Sequence, residues 1–438
     1  MKIALVALGK IGLPLAVQFA LKGHHVIGCD VNQETVDLVN AGIEPFPGEA
    51  NLEKYLKTVV DSGHLVATTD TASAVSRVQA VVIVVPLFVD ENGIPDFGWI
   101  DAATEKIGQG LTSGTLVSYE TTLPVGTTRN RFAPALERAS GLKAGSDFHL
   151  VFSPERVLTG RVFSDLRKYP KLVGGVNTTS TKAGIEFYNS VLDFDNRPDL
   201  LEPNGVWDLG SCEASEMAKL AETTYRDVNI ALANQFAIYA EKTNIDIYKV
   251  ITASNSQPFS HIHQPGIAVG GHCIPIYPRF YLWNDPQATV VSAAREANTQ
   301  MPQHAVSILS NALGSLNGQK VAVLGISYRG GVKESAFSGV FPLVAGLVSA
   351  GAVVMVHDPM YTDEEIESLG LIPFDFTTQV DGVILQADHE EYRNLTSESF
   401  YGLKAVVDGR RILTADNFTQ ICFRVIGSPP RLGFNNEI

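Results

Sequence analysis

Cysteine is scarce in this chain of 438 residues. Four thiols, Cys29, Cys212, Cys273 and Cys422, are scattered with no Cys-x-x-Cys pair. That spacing excludes a disulfide framework and a cysteine-built zinc site, so no metal is expected and a reducing cytoplasm is the expected setting. Positive charge is short as well: 33 Lys and Arg against 47 Asp and Glu leave a net charge of −14. A surface of that sign repels phosphate backbones and excludes broad nucleic-acid binding, and an anionic small substrate then needs local basic groups. Long apolar runs are missing too. The most apolar stretch, 341–356, is broken by Pro342, Gly346 and Gly351, so no membrane span is expected. The opening Met1-Lys2-Ile3-Ala4-Leu5-Val6 reads as a buried strand without the cleavage region of a signal peptide.

What is present is a globular composition, 45% apolar and 18% charged, too long for one ordinary core. The first 30 residues have βαβ form: strand Lys2–Leu8, turn Gly9–Gly12, helix Leu13–Lys22, strand His25–Asp30. Strand-like runs recur at Ala80–Pro86, Leu116–Glu120 and His149–Ser153, with helical stretches at Gly98–Gly108 and Thr128–Arg138 between them. The alternation predicts a parallel doubly wound sheet. From Ser211 to Lys242 there is neither proline nor glycine. Met217, Leu220, Ala221, Thr224, Val228, Ala231, Leu232 and Gln235 keep a helical rhythm with one polar slip, which predicts one long helix. Such a helix bridges domains, forms a dimer interface or is simply a core helix. A second α/β pattern follows: strand Val321–Gly325, helix Gly339–Ala350, strand Val353–Asp358, then strands Val383–Gln386 and Ala405–Asp408. The expected fold is α/β, with two Rossmann-like doubly wound domains joined by a long central helix. The expected segments are 1–205, 206–305 and 306–438.

Two places carry chemistry. Ala7-Leu8-Gly9-Lys10-Ile11-Gly12 between strand and helix approximates a dinucleotide fingerprint, with Ala7 where the first glycine belongs. Gly9 lets the backbone approach a pyrophosphate, Gly12 permits close helix packing, and the helix N-terminus faces the negative charge. Asp30, 21 residues after Gly9, ends the second strand, where its carboxylate accepts from ribose hydroxyls and repels a 2′-phosphate. The cofactor expected is therefore NAD rather than NADP. The second place is Gly270-Gly271-His272-Cys273-Ile274-Pro275. Its glycines allow close approach of the backbone to a ligand, and the thiol after them is either an accessible nucleophile or a buried structural cysteine.

Six motifs in order give the chain a resemblance. They are Gly9-Lys10-Ile11-Gly12-Leu13-Pro14-Leu15-Ala16, Glu120-Thr121-Thr122-Leu123-Pro124-Val125-Gly126-Thr127-Thr128 and Ser153-Pro154-Glu155-Arg156-Val157. Glu216-Met217-Ala218-Lys219-Leu220-Ala221-Glu222, the Cys273 segment and Tyr328-Arg329-Gly330-Gly331-Val332-Lys333-Glu334 complete the set. Over essentially its full length the chain resembles the UDP-glucose/GDP-mannose dehydrogenase family. The resemblance implies an N-terminal NAD-binding domain, a central dimerisation region carrying Lys219 and Cys273, and a C-terminal sugar-nucleotide domain. It implies oxidation of the C6 hydroxyl of a UDP-hexose to a carboxylate with two NAD, by a homodimer paired through the central helix.

The roles it implies are specific. Cys273 attacks the aldehyde to give a thiohemiacetal, whose oxidation gives a thioester; Lys219 steadies negative charge on oxygen. Glu155 positions or deprotonates the hydrolytic water, and Thr122 holds water and cofactor. Cofactor contacts fall on Gly9, Lys10, Ile11, Gly12, Asp30, Pro86, Thr122, Glu155 and Lys333, and substrate contacts on Lys219, Gly270, Gly271, Arg329 and Arg410. The Arg410 guanidinium suits a diphosphate.

The chain departs from the family pattern at Ala7, at Leu87-Phe88 after Pro86, at Thr223 in place of asparagine and at Tyr277 in place of aspartate. Tyrosine is a poor base at neutral pH, while Thr223 keeps a hydroxyl able to hold water or a substrate oxygen. The Tyr277-Pro278-Arg279 segment resembles the UDP-N-acetylmannosamine branch. UDP-N-acetylglucosamine and UDP-glucose stay open as substrates. So do a two-electron hydroxy-acid dehydrogenase and a catalytically impaired binding protein.

Overall fold

Strands rich in Val, Ile and Leu, buried on both faces, pair in parallel beneath helices in each half of the chain. The computed structural model describes residues 1–90 and 93–430. By its internal packing the chain divides into two units, Met1–Glu222 and Thr223–Ile438.

In the first unit the strands are β1 Lys2–Val6, β2 His25–Cys29, β3 Leu65–Thr68, β4 Ala80–Ile83, β5 Phe88–Val89, β6 Pro95–Asp96, β7 Leu116–Tyr119, β8 His149–Phe152, β9 Lys171–Gly175 and β10 Val206–Asp208. Eight of them form one sheet in the order β10-β9-β8-β7-β4-β1-β2-β3, while β5 and β6 make a small antiparallel hairpin. All neighbours in the large sheet are parallel except β8 and β9. The chain runs outward from β1 to β3 and then returns to place β4 on the other side of β1. A crevice for a ligand opens beyond the strand ends at such a reversal. Ile3, Leu5, Leu13, Val17 and Phe19 form the middle of the core.

In the second unit β11 Lys320–Leu324, β12 Val353–His357, β13 Gly382–Leu385, β14 Ala405–Asp408 and β15 Cys422–Val425 form a parallel sheet in the order β12-β11-β13-β14-β15. Alternation along β11 sends Val321 and Val323 into one core and Ala322 and Leu324 into the other. The first of these cores also takes Ala233, Ala237 and Ala240 of the long helix, against Met301, Ala305 and Leu309 of the helix Thr289–Leu313.

The long helix runs Cys212–Lys242, 31 residues and about 46 Å. The division between the units falls inside it, whereas the sequence suggests three segments cut after 205 and 305. Residue 205 separates β9 from β10, which pair with each other, and the helix Thr289–Leu313 runs through residue 305. The expected helix Thr128–Arg138 is in fact a π-helical turn, Thr128–Phe132, followed by an α-helix Ala133–Ser140. Pro134 sits at the start of that α-helix, where its missing N–H leaves no bond unmade.

The turn after β1 confirms close packing and records its strain. A Cβ on Gly12 would collide with the Ala7 carbonyl oxygen. Ala7 itself has φ +79°, a left-handed conformation that favours glycine. Ala7→Gly is therefore expected to raise the stability of the first unit by about 1 kcal/mol, the cost of a left-handed alanine less the added freedom of the unfolded glycine. Thermal or urea denaturation of the two proteins checks it, and equal midpoints would contradict it.

Candidate active site

In the first unit the predicted cofactor residues converge on the carboxyl ends of β1, β2, β4, β7 and β8. The turn 7–12 leaves β1, Asp30 follows β2, Pro86 lies beyond β4, Thr122 beyond β7 and Glu155 beyond β8. Hydrogen bonds join these ends. Asp30 accepts from the Leu8 N–H at 2.7 Å and the Asn32 N–H at 2.9 Å, so the acid expected to read ribose pins the turn. The Thr121 hydroxyl donates to the Val85 carbonyl at 2.6 Å, and the Glu155 N–H to the Glu120 carbonyl at 3.1 Å.

A dinucleotide fits these groups. A Cβ on Gly9 would meet nothing within 4 Å, which leaves its face open to a phosphate. Ile11 stands at the cap position of the ten-residue helix Gly12–Leu21, beside exposed Lys10, and the Leu13 and Leu15 N–H groups donate to the Gly9 and Ile11 carbonyls at 3.0 and 3.2 Å. Asp30 keeps lone pairs for hydroxyl donors.

Behind this rim lies a buried ion cluster that the sequence does not announce. The Lys171 ammonium donates to Glu120 at 2.6 Å and to Glu155 at 2.8 Å. The Tyr188 hydroxyl donates to the other Glu120 oxygen at 2.7 Å, and the Lys171 ammonium stands over the Tyr188 ring. Two carboxylates face one ammonium with almost no water. Burial therefore pushes Glu120 up to about 7 against the pull of Lys171. Burial pushes Glu155 up as well, but Lys171 and the Arg156 N–H together outweigh it and hold that carboxyl below its usual range. Glu155 Oε1 accepts from the Arg156 and Val157 N–H groups at 2.7 and 3.2 Å. Glu155 is thus a fixed anion, suited to accepting a hydrogen bond from water and poorly suited to storing a proton. Thr122 and Lys219 are buried in the same unit, and one turn before Lys219 the carboxylate of Glu216 accepts from the Gly126 and Thr128 N–H groups at 2.5 and 2.8 Å.

The second unit gathers another set. Cys273, partly exposed, is the first residue of the helix Cys273–Asn284. Gly270 and Gly271 precede it, and their missing side chains make room for Tyr328: a Cβ on Gly270 would press on the Tyr328 Cβ, and one on Gly271, at φ +83°, would meet its ring at 3.1 Å. The two glycines thus serve packing against an aromatic ring that the sequence reading passed over. Tyr328 also accepts from Arg410 Nη2 through its carbonyl at 3.1 Å and from Arg329 Nε through its hydroxyl at 3.2 Å. Arg410 Nε donates to the Gln386 carbonyl at 2.6 Å, so the guanidinium is fixed at the ends of β11, β13 and β14. Lys333, on the loop after β11, is tied to Glu365 at 2.5 Å, stands over Tyr361 and is exposed. Thr223 is buried on the long helix, and the Tyr277 ring is tilted against Phe280.

Three family models cover the chain. The NAD binding domain of the UDP-glucose/GDP-mannose dehydrogenase family matches residues 1–192, its central domain residues 213–300 and its UDP binding domain residues 322–415. The chain belongs to this family. A UDP-N-acetyl-D-mannosamine dehydrogenase of Pyrococcus horikoshii is 33% identical to it over 422 residues, covering 94% of this chain and 96% of that protein. An NDP-N-acetyl-D-galactosaminuronic acid dehydrogenase of Ralstonia solanacearum is 30% identical over 430 residues, covering 94% and 96%. A solved structure of the UDP-D-ManNAc dehydrogenase from Pyrococcus horikoshii superposes with a TM-score of 0.86 at 30% identity, covering 98% of this chain and 99% of that one. The family member described here is an NAD-dependent oxidoreductase of nucleotide sugars with the expected α/β architecture. Among the described residues no helix is long and apolar enough to cross a membrane, and no cluster of ligands could hold a metal ion.

The ion cluster has a pH signature. Glu120 binds its proton more tightly folded than unfolded, so its contribution to stability is complete below the ordinary glutamate pKa of 4.5 and is lost as pH rises through about 7. Glu120→Gln keeps a neutral group there and should flatten the fall. Thermal denaturation of both proteins from pH 5 to pH 8 should show the wild type losing stability relative to the variant; parallel profiles would contradict the assignment.

Proposed function

We propose that this family member oxidises the C6 hydroxyl of a UDP-N-acetylhexosamine, UDP-N-acetylmannosamine or UDP-N-acetylglucosamine, to the uronic acid through a covalent Cys273 intermediate. The observation that carries the reading is Cys273 at the first position of its helix, partly exposed and following two glycines. There the helix dipole favours negative charge on an oxygen beside the sulfur. Two other thiols fit worse, since Cys29 and Cys212 are buried and burial pushes Cys29 up to about 12; Cys422, partly exposed, opens the edge strand β15 and packs against the core of its unit. The relatives' names point to an N-acetylated sugar.

NAD, when bound, accepts a hydride from the substrate carbon, once for the alcohol and once more on the way to the acid. The chain's residues do the rest. The turn 7–12 and Asp30 hold the dinucleotide, with Pro86 and Thr122 along the rim. The Cys273 sulfur adds to the aldehyde carbon and makes it tetrahedral, so a second hydride can leave and a thioester remains. Lys219 steadies the negative oxygen. Glu155, held anionic by Lys171, orients the water whose oxygen attacks the thioester; the C–S bond breaks and the thiol is regenerated. Arg329 and Arg410, framed around Tyr328, and Lys333 supply cations to an anionic ligand on an otherwise acidic protein. Thr223 holds water or a substrate oxygen, and Tyr277, where the family carries aspartate, donates a hydrogen bond.

Pairing of two copies belongs to the same reading. Tyr225, Leu232, Phe236 and Tyr239 of the long helix are exposed and fall within an arc of about 60° at 100° per residue. A second copy of this helix would cover that stripe. Leu232→Glu with Phe236→Glu should convert a dimer into a monomer in light scattering after size-exclusion chromatography; an unchanged mass would remove the stripe from the interface.

The activity test uses UDP-N-acetylmannosamine, UDP-N-acetylglucosamine and UDP-glucose with NAD, following NADH and product by mass spectrometry. Two NADH per uronic acid from an N-acetylated substrate are expected. Cys273→Ser should lower turnover by a factor of about 10³ or more. Full turnover by that variant would favour a two-electron dehydrogenase, and ligand binding with no product from the wild type would favour an impaired binding protein.

A further inference from the structure

The geometry points to Arg295 as a positioning residue for Cys273: it supplies the hydrogen-bond donor that Pro278 removes from the helix on which the thiol sits. The inference rests on the reading of Cys273 as the nucleophile. In an α-helix each carbonyl accepts from the N–H four residues on. The Ile274 carbonyl, one residue after Cys273, faces Pro278, which lies inside the helix and has no N–H. Ile274 is buried, so water is a poor substitute. Arg295 Nη1 donates to that carbonyl at 3.1 Å. Pro275 creates no such gap, because its N–H would belong to the first turn, whose donors have no acceptor within the helix.

Arg295 is itself held. The same Nη1 donates to Asp227 Oδ1 at 3.0 Å, and Asp227 is wholly buried. Asn298 Nδ2 donates to Asp227 Oδ1 at 2.8 Å and to the Asp227 carbonyl at 3.0 Å. Asn234 Nδ2 donates to Asn298 Oδ1 at 2.9 Å, and Asn234 Oδ1 accepts from the Gly266 N–H at 2.9 Å. Asp227 and Asn234 belong to the long helix, Arg295 and Asn298 to Thr289–Leu313. A buried polar chain thus fixes one guanidinium, and that guanidinium fixes the first turn beneath the thiol. Sequence gives no hint of it, since Asp227 and Arg295 are 68 positions apart.

The test is a rescue. Removing Arg295 alone would leave the Asp227 charge buried and unpaired, so the probe is the neutral pair Asp227→Asn with Arg295→Met. Amide hydrogen exchange of the segment 273–280 and steady-state kinetics with the best nucleotide sugar are measured. The double variant should exchange about tenfold faster in that segment, and its kcat should fall about tenfold with KM changed less than about twofold. Adding Pro278→Ala returns an N–H to face the Ile274 carbonyl and should restore both to within about threefold. Failure of Pro278→Ala to restore exchange, or no loss in the double variant, overturns the inference. Pro278→Ala in the wild type, where the carbonyl is already satisfied, should change exchange less than about threefold. A tenfold gain in protection there also overturns the inference, and this arm holds even where the double variant does not fold. A wild type inactive on every nucleotide sugar defeats the functional reading, while the exchange data still decide the role of Arg295.

Discussion

In each unit an aspartate at the end of the second strand of the sheet accepts from the turn that follows the first. Asp30 accepts from the Leu8 N–H at 2.7 Å; Asp358 accepts from the Ile326 and Ser327 N–H groups at 2.7 and 3.0 Å. The bond crosses two parallel strands and fixes where the chain goes on leaving the sheet, and groups that the proposed function uses, or that frame them, hang from that turn. In the first unit they are Gly9, Lys10, Ile11 and Gly12; in the second they are Tyr328, Arg329 and Lys333. Asp358 carries the heavier share: His389 Nε2 also bonds it at 3.1 Å, and with backbone donors holds its carboxyl below the usual range against burial.

Local pattern reveals what is local. Nine strands, the long helix and the placing of Gly9 and Asp30 follow from alternation, helical rhythm and turn chemistry, and the ends of those nine agree within three residues; β3, β9, β10, β15 and the hairpin β5–β6 lie outside the strand-like runs read in the sequence. Ala7 also reads correctly as a crowded substitute, since the need for a left-handed residue there is set by the turn alone.

What the sequence hides depends on long-range packing. Nothing near Lys171 tells that its ammonium will be buried between Glu120 and Glu155, because the partners are 51 and 16 positions away. Gly270 and Gly271 read as a ligand approach, and the ring of residue 328 packed beside them is a second reason for glycine there that local pattern does not show. The family motifs name Glu155 as a residue that handles water; only the tertiary cluster shows why it stays an anion while Glu120 behind it does not.

The helix that begins at Cys273 has prolines as its third and sixth residues, a sequence poor for helix formation. Each ring locks its φ near −65°, so the segment loses little backbone freedom when it folds. The sulfur is therefore mounted on a stretch that is stiff by covalent constraint. A stiff mount raises the effective concentration of a nucleophile at one fixed carbon, and it limits the reach of that sulfur toward partners elsewhere, including a second thiol.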